Sequence, residues 1–332
     1  MKFNSISSFI AAIGLLLGVQ TYAANTLELH GALSVKGNQI VDASGKPTSF
    51  AGPSLFWSNT GWGADRYYNA EVVESVVKNW NATIIRAAIG ADKNGGYLAD
   101  PEGNFKKVTT VVDAAIAQGI YVIVDWHSHD AEKHPEAALE FFTRVATKYG
   151  DKPNVIYEIY NEPLNNTDWA TQIKPYAEKL VAKIRSIDPD NLIIVGTQTW
   201  SQDVDKAAED PIKNVSNLAY TLHFYAGTHK QDLRDKAKKA LDKGIALMVT
   251  EWGTVNANGD GAVDKEETQR WLDFMREHNL SHCNWALNDK KEGASHLING
   301  TKPDGNWTDK DFTESGLYVK NVIQNWNQAK LQ

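Results

Sequence analysis

Val155-Ile-Tyr-Glu-Ile-Tyr-Asn161-Glu162-Pro163 is an apolar, strand-like run closed by an amide and a carboxylate. A second run, Ile245-Ala-Leu-Met-Val-Thr-Glu251-Trp252-Gly253, ends in another carboxylate. Both are short and contain β-branched residues, as strands covered on both faces should be. Working outward, the same texture recurs at Thr48–Leu55, Thr83–Ile89, Tyr121–His127, Leu192–Gly196, Leu218–Phe224 and Ser281–Leu287. Helical patterns lie between these runs. Ala70–Trp80, Val108–Gln118, Pro135–Tyr149, Trp169–Ile187, Gln231–Lys243, Lys265–Glu277 and Leu317–Trp326 are the expected helices, and Asp203–Glu209 is a short one. Gly119, Gly150 and Gly244 stop three of them, and Asp264 with Glu267 has the spacing of a capping box. Alternation of eight strands with helices predicts an α/β fold, a (β/α)8 TIM barrel. Before it, Leu33–Pro47 alternates and turns at Gly37-Asn38, which predicts a small N-terminal β-hairpin. A doubly wound open sheet is the competing architecture, but no glycine-rich phosphate loop follows a strand.

The bulk properties exclude several classes of function. Net charge is −7 and no basic tract exists, so nucleic acid and anionic membrane are poor partners. Cys283 is the only cysteine, in a strand-like run, and reads as a buried inert thiol. Lys2, an apolar stretch from Phe9 to Val19 and small residues at Ala23-Ala24 read as a secretory signal over residues 1–24. Residues 25–332 are then expected to form one domain, released outside the cell or into a periplasm.

Function in such a barrel lies at the C-terminal ends of strands. Polar groups gather there: Arg86 on the second strand, Asp125-Trp126-His127-Ser128-His129 on the third, and Asn161-Glu162 on the fourth. His223-Phe224-Tyr225 ends the sixth, Glu251-Trp252 the seventh, and Trp285 followed by Asn288-Asp289-Lys290 the eighth. Charge in apolar runs is costly unless paired or used. Glu162 and Glu251 stand on opposite sides of the barrel mouth. Two facing carboxyl groups suit glycosidic bond cleavage, one protonated as acid and the other ionised. Arg86 is placed to keep one ionised. Glu158 shares Glu162's parity in an extended run, points inward and carries no expected chemistry.

These features resemble the secreted bacterial endoglucanases of glycoside hydrolase family 5. Ile159-Tyr160-Asn161-Glu162-Pro163 is similar to that family's acid/base motif and Thr250-Glu251-Trp252-Gly253 to its nucleophile motif. The likeness runs from about Leu27 to Trp326. It implies Glu162 as proton donor and base, Glu251 as nucleophile, and Asn161 on the sugar 2-hydroxyl. Arg86 would support Glu251, and His127, His223 and Tyr225 would line the catalytic subsite, with Tyr225 bonded to Glu251. Trp285 would be the sugar platform beside the nucleophile, and Trp57, Lys290 and Glu292 would hold sugars further toward the non-reducing side. The implied enzyme is a retaining endo-β-1,4-glucanase, a cellulase acting as a monomer on β-glucan polysaccharide or oligosaccharide, with no cofactor and no metal. A mannanase, xyloglucanase or mixed-linkage glucanase is the alternative on the same scaffold, and a non-catalytic sugar-binding barrel the alternative from another class. Ile89-Gly90-Ala91 lacks the aromatic that some relatives place after the arginine; Tyr97 is the candidate replacement.

Two further signals are set aside. Asn256, Asn258, Asp260, Asp264 and Glu267 echo a calcium loop, but position one is Asn and no EF-hand helix precedes it. His127 and His129 share a face in a strand and imply no third metal ligand.

Overall fold

The computed structural model describes residues 24–326. The expected signal over residues 1–24 therefore lies outside the described residues, Ala24 excepted. A hairpin opens the fold, β1 (Ser34–Lys36) paired antiparallel with β2 (Gln39–Val41). The strands β3 (Ala51–Leu55), β4 (Ile84–Gly90), β5 (Tyr121–His127) and β6 (Val155–Glu158) follow, then β7 (Ile193–Val195), β8 (Leu218–Tyr225), β9 (Leu247–Gly253) and β10 (His282–Leu287). All eight pair in parallel, and β10 closes on β3, so the sheet is a closed barrel rather than an open one.

Alternation along each strand divides the core. On β5, Val122, Val124 and Trp126 face outward and join the layer beneath the helices, where Val145, Phe141 and Val112 also sit. Tyr121 and Ile123 face inward with Phe50, Ile84, Ile156, Ile194, Met248 and Cys283. Leu33 and Ile40 of the hairpin join this inner cluster, so the hairpin plugs the N-terminal end of the barrel. The same inward parity then brings Asp125 and His127 to the other end. Apolar residues thus fill the floor, and the polar ones are left at the mouth. Between sheet and helices, Phe224 stacks on Trp271 of helix Lys265–Glu277 with ring centroids 3.9 Å apart and planes 7° from parallel.

Helix boundaries follow local chemistry. Asp100 caps Pro101–Gln118 by accepting from Gly103 N, so this helix begins well before the expected Val108. Trp169–Ile187 divides into a π-turn, Trp169–Ile173, and the α-helix Lys174–Arg185. A short helix at Thr26–His30 opens with a capping box between Asn25 and Glu28. Asp264 does accept from Glu267 N, but the Glu267 carboxylate is taken by Arg234 and Arg270 rather than returned to the cap or offered to a cation.

One glycine is required by close approach. A Cβ on Gly52 of β3 would lie 1.6 Å from the Ile84 carbonyl oxygen, which is backbone of the neighbouring strand and cannot yield. Gly52→Ala is expected to destabilise the barrel by about 3 kcal/mol or more, the severe end of overpacking. A urea-unfolding midpoint equal to that of the unsubstituted protein would contradict this reading.

Candidate active site

Arg86 organises the mouth of the barrel. It is fully buried on β4 and its guanidinium reaches four strands, β3, β5, β6 and β9, and the segment after β6. Nε and Nη2 donate to Glu158 at 2.7 and 3.2 Å. Nη1 donates to Glu251 Oε2 at 2.9 Å, and Nη2 also reaches Asn161 Oδ1 at 2.7 Å and Asp125 Oδ2 at 2.9 Å. Burial opposes its charge, but Asp125, Glu158 and Glu251 more than compensate and keep it protonated. Glu158 is therefore a buried ion-pair partner, as its inward parity implied.

The β6 ladder stops at Glu158, so Asn161 and Glu162 lie beyond the strand rather than closing it. Two backbone contacts still tie them to β5, Asn161 N to Trp126 O and Glu162 N to Ser128 O, each 3.3 Å. The Asn161 side chain spends its oxygen on Arg86, and its Nδ2 is a buried donor with no protein partner. At β9 the register shifts on both flanks. Such a bulge breaks strict alternation, and the adjacent side chains of Thr250 and Glu251 both reach the polar network. Glu251 accepts from Arg86 and, at 2.8 Å, from Tyr225 OH.

One oxygen of Glu162, one of Glu251 and a ring nitrogen of His223 all lie within 4.8 Å of one another. Burial pushes Glu251 above the usual carboxylate range and the Glu162 charge adds to it, while His223, Arg86 and Tyr225 pull the other way. Burial would raise Glu162 as well. The imidazoles of His129, 3.2 Å from Oε2, and His223, 2.9 Å from Oε1, outweigh it and hold the carboxyl down at about 2. His223 is itself raised to about 9: burial opposes its charge, and Glu158 and Glu162 overcome that. Glu162 Oε1 and His223 Nδ1 thus form a hydrogen bond that needs one proton between them. His127 behaves oppositely. It donates from Nδ1 to Asp125 at 2.6 Å, and burial together with Arg86 holds it well below the ordinary imidazole range, so it is neutral.

The cleft around these groups consists of two pockets of about 460 and 610 Å³ that share Glu162, Tyr225, Glu251, Ala257 and Asn258. The larger holds Trp57, His127, Trp285, Lys290 and Glu292, all named from the sequence. Trp285 lies 5.0 Å from the His127 ring with planes 3° apart, which fixes both. Lys290 Nζ binds Glu292 Oε2 at 2.5 Å and rests 5.5 Å from the Phe56 ring centre. Tyr97 is corrected: it is buried against Trp126 and Phe141 with its hydroxyl on Glu140, away from the cleft.

Sequence reasoning missed Phe56, Trp62, Trp200, Gln202 and His229, all of which line the cleft. Trp62 and Trp200 are 44% and 37% exposed, one in each pocket, and Trp62 rests edge-on against Trp57 with ring centroids 4.9 Å apart. Trp200 sits in three consecutive left-handed residues, Thr199, Trp200 and Ser201, at φ 60, 52 and 57°. A signal for Trp62 existed, in the aromatic cluster Phe56-Trp57-x4-Trp62; none existed for the contact between His129 and Glu162. Among the described residues no helix is long and apolar enough to cross a membrane.

The family model Cellulase (glycosyl hydrolase family 5) matches residues 41–291. Endoglucanase Z of Dickeya dadantii is 58% identical over 294 residues, 89% of this chain, and the match spans 66% of that protein's length. A solved structure from Cytophaga hutchinsonii is 49% identical with a TM-score of 0.89, covering 93% of this chain and 99% of that one. The catalytic domain of Thermobifida fusca endoglucanase Cel5A, solved in complex with cellotetraose, is 32% identical with a TM-score of 0.85, covering 91% and 100%.

Proposed function

The chain belongs to glycosyl hydrolase family 5, and from that premise and the cleft's geometry we propose that it is a secreted, retaining endo-β-1,4-glucanase acting on cellulose chains and soluble β-glucans. The observation that carries the proposal is the close approach of two carboxylates with unlike partners. One oxygen of Glu162 and one of Glu251 lie within 4.8 Å of each other, a near approach that supports the short carboxyl spacing, about 5–5.5 Å, of a retaining pair. An inverting pair needs about 6.5 Å or more to admit a water.

Glu251, held by Arg86 and Tyr225, attacks the anomeric carbon. As that bond forms, the glycosidic C–O bond breaks, and Glu162 gives its proton to the departing oxygen. That proton comes to Glu162 from His223 as charge develops on the leaving group. In the second step Glu162 takes a proton from water, the water oxygen bonds to the anomeric carbon, and Glu251 leaves as a carboxylate. Asn161 Nδ2, its oxygen already spent on Arg86, donates to the 2-hydroxyl. His127 keeps its Nε2 as an acceptor for a neighbouring hydroxyl. Trp285 and Trp57 supply faces for the C–H surfaces of sugars, with Lys290 and Glu292 bonding their edges. An open cleft with exposed tryptophans in both pockets suits cleavage within a chain. Nothing in these steps calls for a metal or organic cofactor.

Release of reducing ends from carboxymethyl-cellulose, mannan, xylan and mixed-linkage glucan tests the proposal. Carboxymethyl-cellulose and mixed-linkage glucan are expected to be cut and mannan and xylan to be poor substrates. Absence of activity on carboxymethyl-cellulose would overturn it.

A further inference from the structure

Thr250 lies beside the nucleophile but touches neither it nor the cleft. It is fully buried, and its hydroxyl meets three partners: Glu158 Oε1 at 2.6 Å, His223 Nε2 at 2.9 Å and the Thr221 hydroxyl. A hydroxyl has one proton and two lone pairs. Glu158, bound at both oxygens by Arg86, is an ionised, acceptor-only group, so the Thr250 proton must go to it. Both lone pairs of Thr250 are then left to accept, one from Thr221 and one from His223. His223 must therefore carry hydrogen on Nε2 in every state. Its other nitrogen, Nδ1, faces Glu162 Oε1 at 2.9 Å, and that contact is satisfied only when one proton lies between the two atoms.

We propose that Thr250 and Glu158 form a positioning relay that locks His223 as the Nε2–H tautomer, so that Nδ1 and Glu162 share a single mobile proton. The inference rests on the acid/base reading of Glu162. The charged and titratable groups facing His223 are few. Glu162 meets Nδ1, and Glu158 lies 3.7 Å from Nε2 behind Thr250. Glu251 adds its charge from β9, and His127 opposes from β5. His129 and Arg86 act at one remove, on Glu162 and Glu158. Without the Thr250 hydroxyl, Nε2–H would point at a methyl group, the imidazolium would lose a partner, and the shared proton would be held less tightly. Thr250 is a positioning residue: it acts through His223 and touches no substrate.

The test compares Thr250→Val, which keeps shape and removes the hydroxyl, with Thr250→Ser, which keeps the hydroxyl. The alkaline limb of kcat/KM on a soluble glucan should move to lower pH by about 1 unit in Thr250→Val, a roughly tenfold loss above both limbs. Thr250→Ser should retain the parent limb. With 15N-labelled histidine, the His223 signal should report protonated Nε2 across the pH range in the parent and in Thr250→Ser, and lose that fixed state in Thr250→Val. A Thr250→Val limb that superimposes on the parent's, a Thr250→Ser limb displaced as far as that of Thr250→Val, or a parent His223 protonated at Nδ1 alone would overturn the relay. The nitrogen signals read the tautomer whether or not glucan is the substrate. Failure of the functional reading, seen as no glucan hydrolysis by the parent, is thus distinct from failure of the relay.

Discussion

Replacing Glu251 by glutamine is expected to lower kcat on soluble β-glucan by about 10⁴-fold or more, the scale seen when a member of a nucleophilic catalytic unit is removed. The substitution keeps the side chain's shape and one acceptor oxygen. Arg86 keeps Glu158 and Asp125, and the barrel should stay folded. What disappears is the negative oxygen that bonds to the anomeric carbon, and no other carboxylate can replace it. Glu158 and Asp125 are wholly buried and paired with Arg86, and in the proposed mechanism Glu162 serves the leaving group. The Michaelis constant should change little, because the tryptophan faces and His127 proposed to hold the sugar are untouched. Steady-state rates with a thermal unfolding control decide the matter. Activity within tenfold of the parent, on a folded variant, would refute the nucleophile assignment.

Glu162→Gln should show a different signature. On glucan chains, whose leaving groups are poor, loss of general acid catalysis is expected to cost about 10²–10⁴-fold. On an aryl β-cellobioside with a dinitrophenolate leaving group, no proton is needed in the first step. There kcat/KM should fall less than about tenfold. The second step still lacks its base, so kcat should collapse and a burst of phenolate should precede slow turnover. Azide, which needs no deprotonation, should restore turnover and yield a glycosyl azide. Equal losses on the two substrates, with no burst, would mean that Glu162 is not the acid/base.

Much of this architecture was legible because it is written locally. Helices Pro135–Tyr149, Lys265–Glu277 and Ala70–Trp80 match their sequence patterns to the residue, since proline, Asp264 and Asn69 mark where they begin. The start of Pro101–Gln118 was hidden: Gly103 and Asn104 dilute its pattern, although Asp100 caps it and Asn104 is buried against Gly95 and Asp100. Thr26–His30 is one turn long, too short to show a period.

The site was legible where a charged or aromatic group ends a strand, and illegible where uncharged neighbours or loops complete it. Arg86, His127, His223 and Tyr225 have the inward parity of their strands. On β9 Thr250 keeps the inward parity of Ala246 and Met248, and the register shift lets its neighbour Glu251 turn to the mouth as well; Glu251 was legible by its charge, while an uncharged threonine beside it carried no signal. Tyr97 sat in a glycine-rich loop whose path the sequence does not give. Gly95 there is left-handed at φ 76°, and the Tyr97 ring packs on Trp126 and Phe141 in the core instead of the cleft. The Trp200 turn, left-handed at three residues without a glycine, contradicts local preference altogether. Pairings such as His129 with Glu162 join loops and depend on geometry no local pattern encodes.

The most direct test of the two-carboxylate account is the anomeric configuration of the first product. Proton NMR during hydrolysis of a cello-oligosaccharide, recorded before mutarotation, distinguishes the hemiacetals at the newly cut end. Double displacement between Glu251 and Glu162 predicts that the β-anomer appears first and the α-anomer only later. An α-anomer appearing first would mean direct attack by water, and would contradict a glycosyl ester on Glu251.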